Sequence, residues 1–230
     1  MKYDVILFDA DETLYDFKKS EREAFKNTMI QFNFDYDETY HLNTYQDINT
    51  LIWKEFEQGV ITQEKLKIER FKRLSDALNV SFNETDFANA YMEHLANASF
   101  LYDGSLELVK HLNQSHKLAI VTNGLTTVQT KRIRQSDIAK YFETVVISEE
   151  ILISKPNPLI FDHTLNLLNV LDKSKVLMVG DSLTSDIQGG INFGIDTCWY
   201  NPEQVENHTD IEPTYEINSF EDLIALLETK

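Results

Sequence analysis

Four short apolar runs, each stopped by a polar residue or a turn, constrain the fold of this chain more than any other feature. Val5 to Phe8 ends at Asp9, Leu118 to Val121 at Thr122-Asn123-Gly124, Val145 to Ile147 at Ser148, and Val176 to Val179 at Gly180-Asp181. Thr197 to Tyr200 reads as a fifth. Runs this short and rich in β-branched residues, separated by helical patterns, predict buried parallel strands joined by crossover helices. In open parallel sheets a ligand sits outside the carboxyl ends of the strands. The polar residues that end these runs are therefore the first place to look for chemistry.

Helix punctuation supports the alternation. Thr126-Thr127-Val128-Gln129 reads as a capping box, Asn157-Pro158 as a cap followed by a first-turn proline, and Ser219-Phe220-Glu221-Asp222 as the start of a last short helix over Leu223, Leu226 and Leu227. Gly194 is placed at the end of a helix that starts near Ser185. From about Tyr15 to Ser99 the strand–helix alternation stops. Ile68, Phe71, Leu74 and Leu78 recur at helical spacing, Ser81-Phe82-Asn83-Glu84 is a further capping signature, and Phe87, Tyr91 and Leu95 form another stripe. Four helices are predicted, at 19–33, 37–57, 62–79 and 84–97. An all-helical stretch this long is too large for a crossover connection and predicts a separate cap, with 16–99 as the cap domain and 1–15 plus 100–230 as the core. The basic set Lys65, Lys67, Arg70, Lys72 and Arg73 reads as a solvated helix face.

Bulk properties narrow the function. The formal net charge of −17 repels nucleic-acid polymers and anionic membrane, so neither is an expected partner. It leaves room for a small phosphorylated metabolite where a metal and a few basic groups invert the potential locally. Cys198 is the single cysteine and cannot form an internal disulfide. The N-terminus passes from Met1-Lys2-Tyr3-Asp4 straight into an apolar run of four, with no basic leader or cleavage site, so a reducing, cytoplasmic setting is the expectation.

Asp9-Ala10-Asp11-Glu12-Thr13 follows the first strand. Extended geometry continued for two residues would put both carboxylates on one side, where they would resist joint ionisation unless a divalent cation of hard character, Mg2+ above all, lay between them. Asp181, at the end of the fourth run, offers another oxygen from across the site. Thr122, Asn123 and the amides around Gly124 can donate to phosphate oxygens, and Lys155, held in a defined loop by Pro156, adds positive charge. Each also has an unremarkable reading: a surface turn for the acids, a helix cap for Thr122, a turn for Asn123-Gly124, an exposed Lys155.

Taken together and in this order, these residues resemble the haloacid dehalogenase superfamily of phosphohydrolases. Asp9, Asp11 and Thr13 match its first motif, Thr122 its second, Lys155-Pro156 its lysine motif, and Gly180-Asp181 with downstream Asp186 its final acidic motif. The resemblance spans essentially the whole chain and implies an α/β fold: a three-layer Rossmann-like core with a parallel sheet, plus a helical-bundle cap inserted after the first strand. It implies Asp9 as nucleophile, Asp11 as the acid and base, and Mg2+ held by Asp9, the main-chain carbonyl of Asp11, and Asp181. Thr122, Asn123, Gly124 and Lys155 would hold phosphate, and Asp186 would orient Lys155 or complete the outer metal shell. Glu12 stands where the family commonly has glycine, which implies a turn that does not need glycine's backbone freedom. The Asp-Ala-Asp-Glu-Thr form, Thr-Asn-Gly, Gly-Gly-Ile-Asn and Cys-Trp are similar to the bacterial pyrimidine 5'-nucleotidase subgroup, implying a nucleoside monophosphate as substrate. A sugar-phosphate or broad phosphatase, a phosphomutase, a dehalogenase and a silent phospho-ligand binder are the competing functions.

Overall fold

The structure is a computed structural model and describes residues 2–228. The chain divides into two compact units, Met1–Phe17 with Phe100–Lys230, and Lys18–Ser99.

Among the described residues the first unit is built on six parallel strands: β1 Val5–Phe8, β2 Lys117–Thr122, β3 Thr144–Ile147, β4 Val176–Gly180, β5 Asp196–Tyr200 and β6 Tyr215–Ile217. Their order across the sheet is β3-β2-β1-β4-β5-β6. The five expected runs are all strands. β6 went unforeseen because Tyr215-Glu216-Ile217 is three residues long, lies at the sheet edge and pairs only with β5. Alternate residues of each strand face opposite layers. Ile6, Phe8, Leu118, Ile120, Leu177 and Val179 pack with Leu108, Val109 and Leu112 from one helix and Phe220, Leu223 and Leu227 from another. Val5, Leu7, Ala119, Val121, Val176 and Met178 face Ile160, Phe161 and Leu165 on the other side. The result is the expected three-layer, Rossmann-like core.

Ten α-helices occur among the described residues: α1 Phe17–Gln31, α2 Asn43–Glu57, α3 Gln63–Leu78, α4 Glu84–Asn97, α5 Ser105–Leu112, α6 Thr126–Gln129, α7 Ser148–Ile151, α8 Leu159–Leu167, α9 Gln188–Phe193 and α10 Phe220–Glu228. Several caps follow the sequence signals: Asp222 N–H donates to Ser219 Oγ, Leu159 N–H to Asn157 Oδ1, and Gly194 closes α9 at φ 83°. The capping box at Thr126 does not form. Leu125 precedes α6 with no side-chain cap, and the Gln129 side chain turns to other partners described below. The helix expected from Ser185 is a π-helical turn, Leu183–Ile187, capped by Ser182 and continued by α9.

The second unit holds α1 from Lys18 onward, a π-helical turn at Glu38–Leu42, and α2 to α4. The single helix expected over 37–57 is thus two elements, because Asp37 caps the turn by accepting from Tyr40 N–H before α2 begins. Its core is aromatic: Phe25 stacks on Tyr45 at 4.6 Å, and Tyr45 on Phe71 at 5.7 Å. Arg70 corrects the expectation of a solvated basic face. It is 3% exposed, donates to Asn49 Oδ1 at 3.1 Å and lies over the rings of Phe71 and Tyr91. Position 70 falls on the same stripe as Leu66 and Leu74, so helical spacing carries its guanidinium inward. Among the described residues, no helix is long and apolar enough to cross a membrane.

Candidate active site

β1, β2 and β4 deliver the key residues because they lie side by side in register, Phe8 beside Ile120 and Val179. Asp9 continues β1 by donating its N–H to Val179 O at 2.9 Å. Thr122 ends β2, and Asp181 follows Gly180 at the end of β4. The segment after Asp9 then turns: Leu14 and Tyr15 both donate to Ala10 O, and Tyr15 pairs with Leu101.

Lys155 is the electrostatic centre. It is 1% exposed, and its Nζ reaches Asp9 Oδ1 at 2.5 Å, Val121 O at 2.6 Å and Asp186 Oδ1 at 2.7 Å. Burial works against its charge, but the carboxylates of Asp186 and Asp9 more than offset that and raise its pKa. Asp186 also accepts Ser182 N–H at Oδ2. Its carboxyl fills the space beside Gly180: a Cβ added there would lie 2.3 Å from Asp186 Oδ2. Glycine is required at 180 by this close approach.

One ammonium does not balance the acids around it. Oxygens of Asp9, Asp181 and Asp186 lie within 4.8 Å of one another. Burial pushes the Asp9 carboxyl up to about 7; Lys155 pulls the other way, and Asp186 and Asp11 add to the rise. Asp181 is raised by burial and then by Asp186, Asp9 and Glu12. A divalent cation would relieve this crowding. The donors are hard oxygens, and metal–oxygen bonds of 2.0–2.1 Å put opposite ligands of Mg2+ about 4.2 Å apart, close to the observed spread. The residues fit such an ion. Asp181 is steadied from two sides, by Trp199 Nε1 donating to its main-chain carbonyl at 2.8 Å and by Thr13 Oγ1 at 3.4 Å from its Oδ1.

Asp11 has different company. Its Oδ1 accepts from Arg132 Nη1 at 2.7 Å, and its Oδ2 from Gln129 Nε2 at 2.8 Å. Gln129 Nε2 also donates to Thr122 Oγ1 at 3.1 Å. Arg132 and Gln129 carry no motif signal. Gln129 reads in the sequence only as the end of the Thr126 capping pattern, and the one further cue is that 129 and 132 lie about one helical turn apart. Trp199 and Tyr102 were likewise invisible as site neighbours, because their partners lie 18 and 90 residues away.

Two expected phosphate donors are already engaged within the protein. The Asn123 carboxamide pairs with the backbone of Lys155, donating to its carbonyl and accepting its N–H, both at 2.9 Å. The Gly124 N–H donates to Ser148 Oγ at 3.2 Å. Asn123 therefore holds the Lys155 loop in place. Thr122 Oγ1 accepts from Gln129, which orients its own O–H for donation elsewhere.

Glu12 overturns the expectation of an ordinary backbone. Its φ is 62°, in the left-handed region that glycine enters at least cost. A non-glycine residue there costs roughly 1–2 kcal/mol. Here the N–H bonds to Tyr15 O at 2.8 Å, and the carboxylate accepts from Tyr102 Oη at 3.0 Å.

A family model described as haloacid dehalogenase-like hydrolase matches residues 3–194. Pyrimidine 5'-nucleotidase PynA of Streptococcus pneumoniae is 37% identical over 229 residues, covering 99% of this chain and 96% of its own. Pyrimidine 5'-nucleotidase YjjG of Escherichia coli is 36% identical over 230 residues, with 99% of each chain covered. Among solved structures, the HAD-hydrolase YfnB of Bacillus subtilis, described as bound to magnesium, superposes with a TM-score of 0.93 over 100% of both chains at 32% identity.

Proposed function

The chain belongs to the haloacid dehalogenase-like hydrolases and is a phosphatase, and from that premise we propose that it hydrolyses nucleoside 5'-monophosphates, pyrimidine forms preferred, through an aspartyl phosphate on Asp9. The observation that carries the mechanism is the separation of two neighbouring carboxylates into different surroundings: Asp9 on Lys155 among other acids, Asp11 on Arg132 and Gln129. The substrate class rests on the two nucleotidases that match nearly end to end.

Mg2+ is the proposed cofactor; Asp9 and Asp181, with the main-chain carbonyl of Asp11 and with Asp186 alongside, are the residues to hold it, and it supplies positive charge that lets an anionic phosphate approach an anionic carboxylate. At about 4 Å and an effective dielectric near 20, each unit pair is worth on the order of 4 kcal/mol, so Lys155 alone would leave the approach repulsive. Lys155 and the Thr122 hydroxyl bind the non-transferring oxygens and stabilise the charge that spreads over them. Asn123 and Gly124 shape this cradle, Asn123 by fixing the Lys155 loop. The Asp9 carboxylate attacks phosphorus as the bond to the leaving oxygen breaks, and Asp11, entering the step in its protonated form, gives that oxygen a proton. Asp11 then takes a proton from water, whose oxygen attacks phosphorus and breaks the bond to Asp9. Asp186 keeps Lys155 charged and aimed.

The helical stretch 16–99 is proposed as the cap that selects the leaving group, and the setting as cytoplasmic. A panel of nucleotide, hexose and simple alkyl phosphates, compared by kcat/KM, tests the substrate class. Pyrimidine monophosphates are expected to lead, and a hexose phosphate in first place would overturn the proposal. Phosphate appearing at another position of a sugar, rather than in solution, would make the chain a mutase.

A further inference from the structure

We infer that Gln129 and Arg132 are positioning residues which fix the proton-handling oxygen of Asp11 beside the phosphate-binding hydroxyl of Thr122. The inference rests on Asp11 being the acid and base of the reaction proposed above.

Both oxygens of Asp11 are held, and by residues three apart on one helical stretch. Arg132 is fully buried and a third contact ties it to its neighbour, Nη1 to Gln129 Oε1 at 3.1 Å. Its guanidinium lies 5.8 Å from the Tyr15 ring centre and 5.2 Å from that of Phe17, and Tyr15 is itself anchored by a 2.6 Å contact with Ser136 Oγ. A guanidinium buried to this extent is costly unless its N–H groups find acceptors, and Asp11 Oδ1 is one of them.

Gln129 has a seat made for it. A Cβ on Gly124 would fall 2.7 Å from Gln129 Cγ and 2.8 Å from its Nε2, so any larger residue would displace the amide. Gly124 is not among the positive-φ positions, so space rather than backbone freedom explains the glycine. From that seat one amide nitrogen reaches both Asp11 Oδ2 and Thr122 Oγ1. Oδ1 is anchored on the guanidinium, which does not give up a proton. Oδ2, sharing its donor with the hydroxyl that faces phosphate, is therefore the oxygen that exchanges a proton with the leaving group and with water. The clamp prevents rotation of the carboxylate about its Cβ–Cγ bond, and small misplacements of a catalytic group carry large rate penalties.

The test uses leaving groups of different basicity. An alkyl phosphate such as a nucleoside 5'-monophosphate needs a proton on departure, whereas p-nitrophenyl phosphate releases a stable phenolate. In Arg132→Met and in Gln129→Leu, kcat/KM for the alkyl ester is expected to fall about 30- to 100-fold, and for the aryl ester by less than about 5-fold. Inhibition by inorganic phosphate should stay within about twofold, and Arg132→Lys should recover part of the alkyl rate. A loose structural role would lower both rates together, and that result, or no loss at all, would overturn the inference. Gln129→Leu leaves the buried Arg132–Asp11 contact intact and serves if Arg132→Met does not fold. Asp11→Asn separates the two ideas. If it shows no preference for the aryl ester, the role of Asp11 fails; if it shows one while the Gln129 and Arg132 variants do not, only the inference fails. In the Asp11→Asn background, Gln129→Leu should add no further selectivity.

Discussion

Asp9 and Asp11 stand two positions apart, yet the two sides of the site they occupy are electrostatically unlike. On one side, three carboxylates crowd a single buried ammonium, and burial raises Asp9 and Asp181. On the other, one carboxylate is matched to one guanidinium and one amide. The first side gathers more carboxylates than ammonium groups, while on the second each oxygen of Asp11 has a donor of its own. The proposed division of labour rests on this contrast, with Asp9 as a nucleophile that needs a cation and Asp11 as a proton carrier that needs a fixed direction.

The largest way to break this contrast is to remove the proposed nucleophile. Asp9→Asn should cut kcat by at least about 10⁴-fold while inorganic phosphate still binds, as measured by phosphate release and by calorimetry. Asp11→Asn should cost less, about 10²- to 10³-fold on alkyl esters. An equal loss from the two changes would erase the distinction between the sides.

Stability against pH probes the crowded side alone. The folded Asp9 pKa, about 7, lies above its ordinary value of 3.8, so between those values the unfolded chain releases a proton that the folded chain keeps. Asp9 therefore stabilises the fold below pH 3.8, and that contribution is lost as pH rises through about 7. Asp181 shifts in the same direction, whereas Lys155, raised above 10.5, contributes evenly through this window. Denaturant unfolding without metal should show wild type losing, relative to Asp9→Asn, on the order of a few kcal/mol between pH 4 and 7. Mg2+ should flatten the difference, and a wild type that gains on Asp9→Asn over this range would contradict the assignment.

Smaller changes sharpen the frame around both sides. Asn123→Ala removes two hydrogen bonds to the Lys155 backbone and should lower stability by about 1–3 kcal/mol, with a clear fall in kcat. Glu12→Gly relieves the left-handed backbone but gives up the Tyr102 contact, so it should be more stable than Glu12→Ala by about 1 kcal/mol, read from thermal midpoints.

What the sequence revealed followed from local order. Strand-end residues such as Asp9, Thr122 and Asp181 were legible because a short apolar run predicts both a strand and the position of its carboxyl end. β6 was not, being three residues long at an edge. The surroundings of Asp11 were hidden for another reason. Gln129 and Arg132 meet Asp11 across 118 and 121 residues, and the local pattern around Gln129 suggested a cap that the backbone does not use. Arg70 shows the same limit in the helical unit, where charge suggested solvent and helical phase carried the side chain inward. At Glu12 the residue type suggested an ordinary backbone, but tertiary contacts hold it at positive φ.

The central claim is that phosphorus is attacked twice, first by Asp9 and then by water. A phosphorothioate monoester made chiral at phosphorus with two oxygen isotopes, turned over in water of the third isotope, gives an inorganic thiophosphate whose configuration reports the number of displacements whether or not the intermediate accumulates. Two in-line steps predict retention of configuration at phosphorus; inversion would mean that water attacks the substrate directly and that Asp9 is not the phosphoryl acceptor.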